Sequence, residues 1–213
     1  MSMPKEPRQL MINLMYLVLT AMLALNVSSE ILHAFKTINQ SINQSNASIQ
    51  SKNQELYDLF NENEKQPGRE DRVKPYNDRA KIVRAQADEL VQYLEEWKGK
   101  VITEAGGYTE TGEIKAESNI DASTKLLVEN NGGDEIKEKL EQLRELMINS
   151  VDEKDRDKTA ASLPLRITEP ERSDNNPQGK WSVGTFYNMP VMAAITLFSK
   201  MQNDVRRWEA QVV

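Results

Sequence analysis

The chain has 213 residues with 27 basic and 33 acidic side chains, a formal charge of −6, which leaves room for one sizeable domain or two small ones. Hydrophobic residues make up 38% and mean hydropathy is −0.64, low against the roughly 45–50% of a globular domain; a pI near 5.1 removes the positive field on which nucleic-acid binding depends. With no Cys and one His there can be no disulfide, thiolate metal site or Cys nucleophile, and His-based catalysis has little to work with, so neither an enzyme, a metal nor a cofactor is expected.

Taken in chain order, the first element is apolar. Gln9 to Ser29 carries no formal charge over 21 residues, about 31 Å of helix against a hydrocarbon core of about 30 Å. The reading is a transmembrane helix over 9–29; a cleaved signal peptide ending near Val27-Ser28-Ser29 is the rival, but its apolar region would be only about 7–15 residues long. Lys5 and Arg8 against Glu6 give the short flank, residues 1–8, a positive bias that keeps it cytoplasmic. Everything from residue 30 to 213 is then periplasmic. Gln9, Asn13, Tyr16 and Thr20 recur at spacings of 4, 3 and 4, with Ala24 extending the row. Such a polar stripe is costly against lipid and suits a second protein helix in the membrane.

No Pro or Gly follows Pro7 until Pro67, so the anchor is expected to run outward as one long helix. Phe35, Ile42, Ile49 and Leu56 hold one heptad position; Ile31, Ile38 and Leu59 hold the other, with Ser45 and Lys52 in the gaps. That is a thin seam for another helix, in a stalk or a dimer, through a tract (Asn39 to Gln54) in which 12 of 16 residues are Asn, Gln or Ser. A second helix, with Pro75 in its first turn, carries Tyr76, Ala80, Val83, Ala87, Leu90, Leu94, Trp97 and Val101 on one face until Gly106-Gly107. A short helix from Asp121 to about Asn130 ends at Gly132-Gly133. Asp134 then caps a third long helix, with Ile136, Leu140, Leu143 and Met147 facing inward. A long irregular segment from Lys158 to Asn188 includes Pro164, Pro170 and Pro177. The last helix starts near Pro190 with Asn188 as its cap and shows Ala194, Leu197, Met201, Val205, Trp208 and Val212. The expected fold is all-α: an antiparallel helical bundle above one membrane helix.

Among candidate chemistry, His33 reads as solvated or packed. The acidic run around Asp152, Asp155 and Asp157 lacks the spacing of a calcium loop, and Gly179-Lys180 lacks the rest of a phosphate loop. Arg8 stands apart, a permanent cation abutting the apolar run. It either orients the helix by snorkelling or pairs with a carboxylate supplied by another subunit.

PRQLMINLMYLVLTAMLALNVSSEIL, Pro7 to Leu32, resembles the start of the GldM (PorM) family of the type 9 secretion and gliding-motility machinery, and NMPVMAAITLFSKMQNDVRRWEAQVV, Asn188 to Val213, resembles that family's helix leading to later domains. The resemblance implies an inner-membrane motor. Two copies would place their single helices inside a five-membered ring of the polytopic partner GldL, and proton flow would drive movement that the periplasmic part carries to outer-membrane-associated secretion components through further domains. It implies that Arg8 meets a glutamate of the ring and that Tyr16 lies in the same shared stretch. The competing readings are a bitopic sensor with a periplasmic ligand-binding bundle and a passive periplasm-spanning tether.

Overall fold

The computed structural model describes residues 7–25, with side chains through Thr20, together with 29–163 and 167–212. The proposed tail up to Glu6, the 26–28 stretch where the anchor would pass into the stalk, the Ala24 side chain and Pro164 lie outside the described residues.

Helices carry the fold, and among the described residues the only β pairing is two isolated bridges, Tyr108 with Ile114 and Ser173 with Asn176. α1 spans Pro7–Leu25 and α2 Ser29–Glu64; Pro at the first helical position of α1 costs no hydrogen bond, because that N–H would be unpaired anyway. A turn closed by Arg69 N–H donating to Gln66 O (3.1 Å) leads to α3, Glu70–Glu104. The apolar face of α3 falls where its spacing puts it, with Ala80, Val83, Ala87, Leu90, Leu94, Trp97 and Val101 all buried. Its start does not: the helix begins five residues before Pro75, and Tyr76 stays exposed. Pro75 is therefore the sixth helical residue and not a first-turn one, and it removes the hydrogen bond that an N–H there would donate to the Asp71 carbonyl.

α4, Asp121–Thr124, runs into a π-helical turn, Lys125–Glu129, and α5 covers Gly132–Ser150. The two glycines do not stop the short helix; they open α5. A Cβ on Gly132 would sit 2.3 Å from Trp97 Cη2, and one on Gly133 would sit 2.6 Å from Leu127 O and 2.8 Å from Ser182 Cβ. Close approach of α5 to Trp97 therefore requires them, while Asn131, in the left-handed region at φ 59°, occupies the cap position expected of Asp134. Ile136, Leu140, Leu143 and Met147 face the core as their spacing predicts.

The segment from 151 to 190 is less irregular than its prolines imply. It contains α6, Arg156–Ser162, and α7, Trp181–Phe186. Phe186 is fully buried, stacked on Phe198 at 5.9 Å and edge-on to Trp181 at 5.5 Å. α8, Val191–Val212, follows. Its first N–H groups are not capped by Asn188: Val191 and Met192 donate to the carbonyls of Asn119 (2.9 Å) and Glu117 (3.1 Å). Asn188 instead adopts φ 53° to turn the chain, and its N–H donates to Thr124 Oγ1.

The bundle is of mixed direction rather than antiparallel throughout. Arg84 on α3 faces Gln54 on α2 while Asn77 reaches Asn61; Tyr93 faces Glu135 on α5 while Arg79 reaches Ser150; Asp88 faces Arg206 on α8 while Lys98 reaches Gln202. α3 thus runs against α2, α5 and α8, and those three run parallel. Sequence spacing cannot reveal this, because it depends on segment 151–190 carrying the chain back from Ser150, beside Arg79, to Val191, beside Asn119. α8 lies at the centre, buried on nearly every side, and the apolar core is made by α3, α4 with its π turn, α5, α7 and α8, with Leu163 beside it. α2 supplies only Leu32 and Phe35, partly buried, to that core.

Candidate functional site

α1 brings Gln9, Asn13, Tyr16 and Thr20 onto one side of a helix, with Arg8 one residue before the stripe. Every described side chain of α1 is exposed, including Leu10, Met11, Ile12, Leu14, Leu17 and Val18. Thr20 Oγ1 donates to Tyr16 O at 2.7 Å, so its hydroxyl is satisfied within the helix. Among the described residues no helix is long and apolar enough to cross a membrane: the described side chains of α1 run from Pro7 to Thr20, 14 residues, or about 21 Å of helix.

The expected seam on α2 divides. Phe35, Ile42, Ile49 and Leu56 are half-buried, while Ile31, Ile38 and Leu59 remain 50%, 49% and 53% exposed. The second row of the internal seam is instead Leu32, Asn39, Asn46, Asn53 and Phe60, also seven apart and all at least half-buried. α2 is therefore rotated towards its asparagines, a position that a search for apolar periodicity passes over.

Those asparagines meet polar groups on α8. Asn46 Nδ2 donates to Ser199 O (3.2 Å) and its Oδ1 accepts from Asn203 Nδ2 (2.7 Å), which also donates to Ser45 Oγ (3.1 Å). One heptad on, Asn53 Nδ2 donates to Arg206 O (2.9 Å) and to Glu209 Oε2 (3.0 Å). Glu209, 1% exposed, also accepts from Tyr57 OH at 2.8 Å and pairs with Arg206 Nη1 at 3.0 Å, and the same Nη1 lies 2.6 Å from Asp88 of α3. Burial works against the Arg206 charge, but the hydrogen bonds from Asp88 and Glu209 outweigh it and raise the guanidinium above its ordinary value. Burial, reinforced by Glu209, pushes the Tyr57 phenol up strongly. A second buried polar group sits lower on α8, where Lys98 Nζ donates to Gln202 Oε1 (2.6 Å) and Glu95 Oε2 (2.9 Å). Burial would raise Glu95, but hydrogen bonds from Lys98 and Gln202 prevail and hold its carboxyl below the usual range. Beside the upper cluster, an open groove of about 900 Å³ is lined by Ser45, Ile49, Leu56, Leu59, Arg207 and Ala210, among others.

Such an arrangement holds helices together; it aligns no nucleophile with a base. His33 is exposed, and its carbonyl accepts from Thr37 Oγ1 (3.0 Å). Asp152 receives the Arg79 guanidinium at 3.3 Å, with Asp155 and Asp157 falling in the short helices around it, and Gly179 makes a turn at φ 69°. Among the described residues no group of His, Cys, Asp and Glu could hold a metal ion.

Fold and site together define an all-helical scaffold module with an exposed apolar helix at one end. The family model of the GldM N-terminal domain matches residues 30–213, and the chain belongs to the GldM family. It is thus a membrane-associated component of the type 9 secretion and gliding machinery. No curated protein matches the chain.

Proposed function

We propose that the chain is an inner-membrane motor subunit that converts proton-motive force into mechanical motion. In this reading residues 9–29 form the anchor, 1–8 stay in the cytoplasm and 30–213 form the first periplasmic domain. The family match over 30–213 carries it, since that match abuts a 21-residue charge-free run long enough to span a bilayer. The exposed apolar side chains of α1 support it, because so many apolar groups in water are stable only against lipid or another protein. Gln9, Asn13, Tyr16 and Thr20 face a ring of a GldL-like polytopic partner, and Arg8 pairs with a carboxylate of that ring. Two copies pair through the exposed row of Ile31, Ile38 and Leu59 beside half-buried Phe35, Ile42, Ile49 and Leu56. Moving one charge through about 100 mV supplies about 2.3 kcal/mol, and the bundle transmits that work towards secretion components at the outer membrane.

The test is Arg8. If it only orients the helix, Arg8→Lys keeps function, because the positive flank is retained. If it pairs with a carboxylate, Arg8→Lys and Arg8→Ala both assemble with the ring yet lose energised secretion or gliding, since an ammonium cannot reproduce the guanidinium fork. Full activity in a stably assembled Arg8→Ala would remove the coupling role and return Arg8 to being a topology signal. Topology has its own check: a cysteine at Ser2 should resist impermeant thiol reagents in spheroplasts, whereas one at Ser41 should label. Cysteines placed singly at Ile31, Ile38 and Ile42 should give at least one efficient crosslinked dimer.

A further inference from the structure

We infer that α2 is a separable arm, clasped onto α8 by its asparagine row and able to leave without unfolding the rest of the bundle. The fully buried apolar cluster contains no residue of α2; removing the helix uncovers the ring of Tyr57 and the partly buried Leu32, Phe35, Ile42, Ile49, Leu56 and Phe60. Beside that apolar row, what binds α2 to α8 is polar on both sides: Ser45, Asn46, Asn53 and Tyr57 against Asn203, Glu209 and the carbonyls of Ser199 and Arg206, with Thr196 Oγ1 donating to Phe35 O at 3.3 Å. Groups of this kind exchange one set of hydrogen bonds for another when water enters, so opening gives up the partial burial along α2 while the fully buried cluster keeps all of its own side chains in place. The seam is also imperfectly paired. Asn39 Oδ1, Asn53 Oδ1 and Ser199 Oγ are buried with no hydrogen-bond partner among the described residues, and opening would hydrate all three.

The clasp has a strong end. Glu209 gathers Tyr57, Asn53 and Arg206, and Asp88 of α3 holds Arg206 from the other side, so the asparagines at 39 and 46 release before the cluster around 53 and 57. α2 then peels from its N-terminal end, the end nearest α1, where the part-exposed Lys36–Glu117 ion pair (2.7 Å) must also open, and remains tied to α3 near the turn by Asn77 donating to Asn61 Oδ1 (3.0 Å) and to Glu64. α3, α5 and α8 keep their shared core throughout. The separability stands on these contacts alone; its use, as compliance between a driven membrane helix and a rigid bundle, rests on the motor reading above.

Native-state hydrogen exchange on the full chain in detergent tests the separability. Amides from Asn39 to Phe60 should exchange about tenfold or more faster than interior amides of α3, α5 and α8, those around Asn39 and Asn46 ahead of those around Asn53 and Tyr57. Glu209→Gln should speed α2 by about tenfold more while leaving the interior of α5 unchanged. Exchange of α2 in step with α8 in both proteins would overturn the inference. The chain has no native cysteine, so Asn46→Cys with Asn203→Cys can lock the clasp by oxidation. The locked protein should show α2 protected to the level of α8 and should lose secretion, regaining it on reduction. Undiminished secretion with the lock closed would overturn the mechanical use, and would do so without touching the anchor or Arg8.

Discussion

Tyr57 and Glu209 show how much one buried pair can set. The phenol gives Glu209 one of its hydrogen bonds, and a buried carboxylate deprived of a donor costs about 1–3 kcal/mol; Tyr57→Phe should therefore lower folding stability by that amount in chemical denaturation at neutral pH. The same residue fixes an alkaline trend. The folded phenol is held well above its ordinary value near 10.0, so its contribution is complete below pH 10 and is lost as pH rises and the unfolded chain ionises first. Melting temperature from pH 9 to 11 should fall more steeply in the parent than in Tyr57→Phe. Glu95 works in the opposite direction. Its folded carboxyl lies below the ordinary 4.5, so it stabilises above that value and the contribution fades as pH falls below it. Glycines divide in a similar way. Gly132→Ala drives a methyl into Trp97 and should cost about 1–3 kcal/mol, whereas Gly99, inside α3 with open space where a methyl would project, should gain about 0.5–1 kcal/mol as Ala.

At the level of elements, α3 and α5 are legible because their inward residues are apolar and their outward ones charged, which is the contrast that helical periodicity measures. α8 is legible only on its apolar side. Its other side is buried too, but against polar groups, and no one-sided pattern marks Asn203 or Glu209 as interior. The same blindness applies to α2. Phe35, Ile42, Ile49 and Leu56 mark one row of the seam, but Ile31, Ile38 and Leu59 stay exposed, and the face is completed by Asn39, Asn46 and Asn53, whose burial makes sense only once their α8 partners are known. Caps mislead for a related reason, since Gly132-Gly133 and Asn188 owe their conformations to Trp97, Ser182 and Thr124, all distant in sequence. The exposed row on α2 gives the element its test. Ile38→Ser and Leu59→Ser should change the folding stability of a single copy by no more than about 0.5 kcal/mol, while Leu140→Ala in α5 should cost about 2–5 kcal/mol, both read from urea titrations.

For the whole molecule, the long helices α2, α3, α5 and α8 among the described residues follow from the sequence and their directions do not. Three parallel helices need a return path, and segment 151–190 supplies it while adding Phe186 to the core. Phe186→Ala should consequently behave as a core substitution, costing about 3–5 kcal/mol in thermal or urea unfolding, although it lies in a stretch whose prolines suggest a surface loop. The apolar N-terminal end is legible only as composition: the charge-free run is plain in the sequence, and among the described residues no other element covers it.

The central position of α8 also has a temporal side. The helix that completes the apolar core is made after α2, α3 and α5, and its contacts with α2 join residues more than 150 positions apart. As the chain is synthesised or threaded through a membrane from its N-terminus, α2, α3 and α5 arrive with their inward faces uncovered and have nothing central to close upon. Folding must wait until residues 191–212 are delivered. Until then the chain carries an open apolar cleft that a chaperone can hold and a protease can cut, so its survival depends on how quickly α8 follows the helices before it.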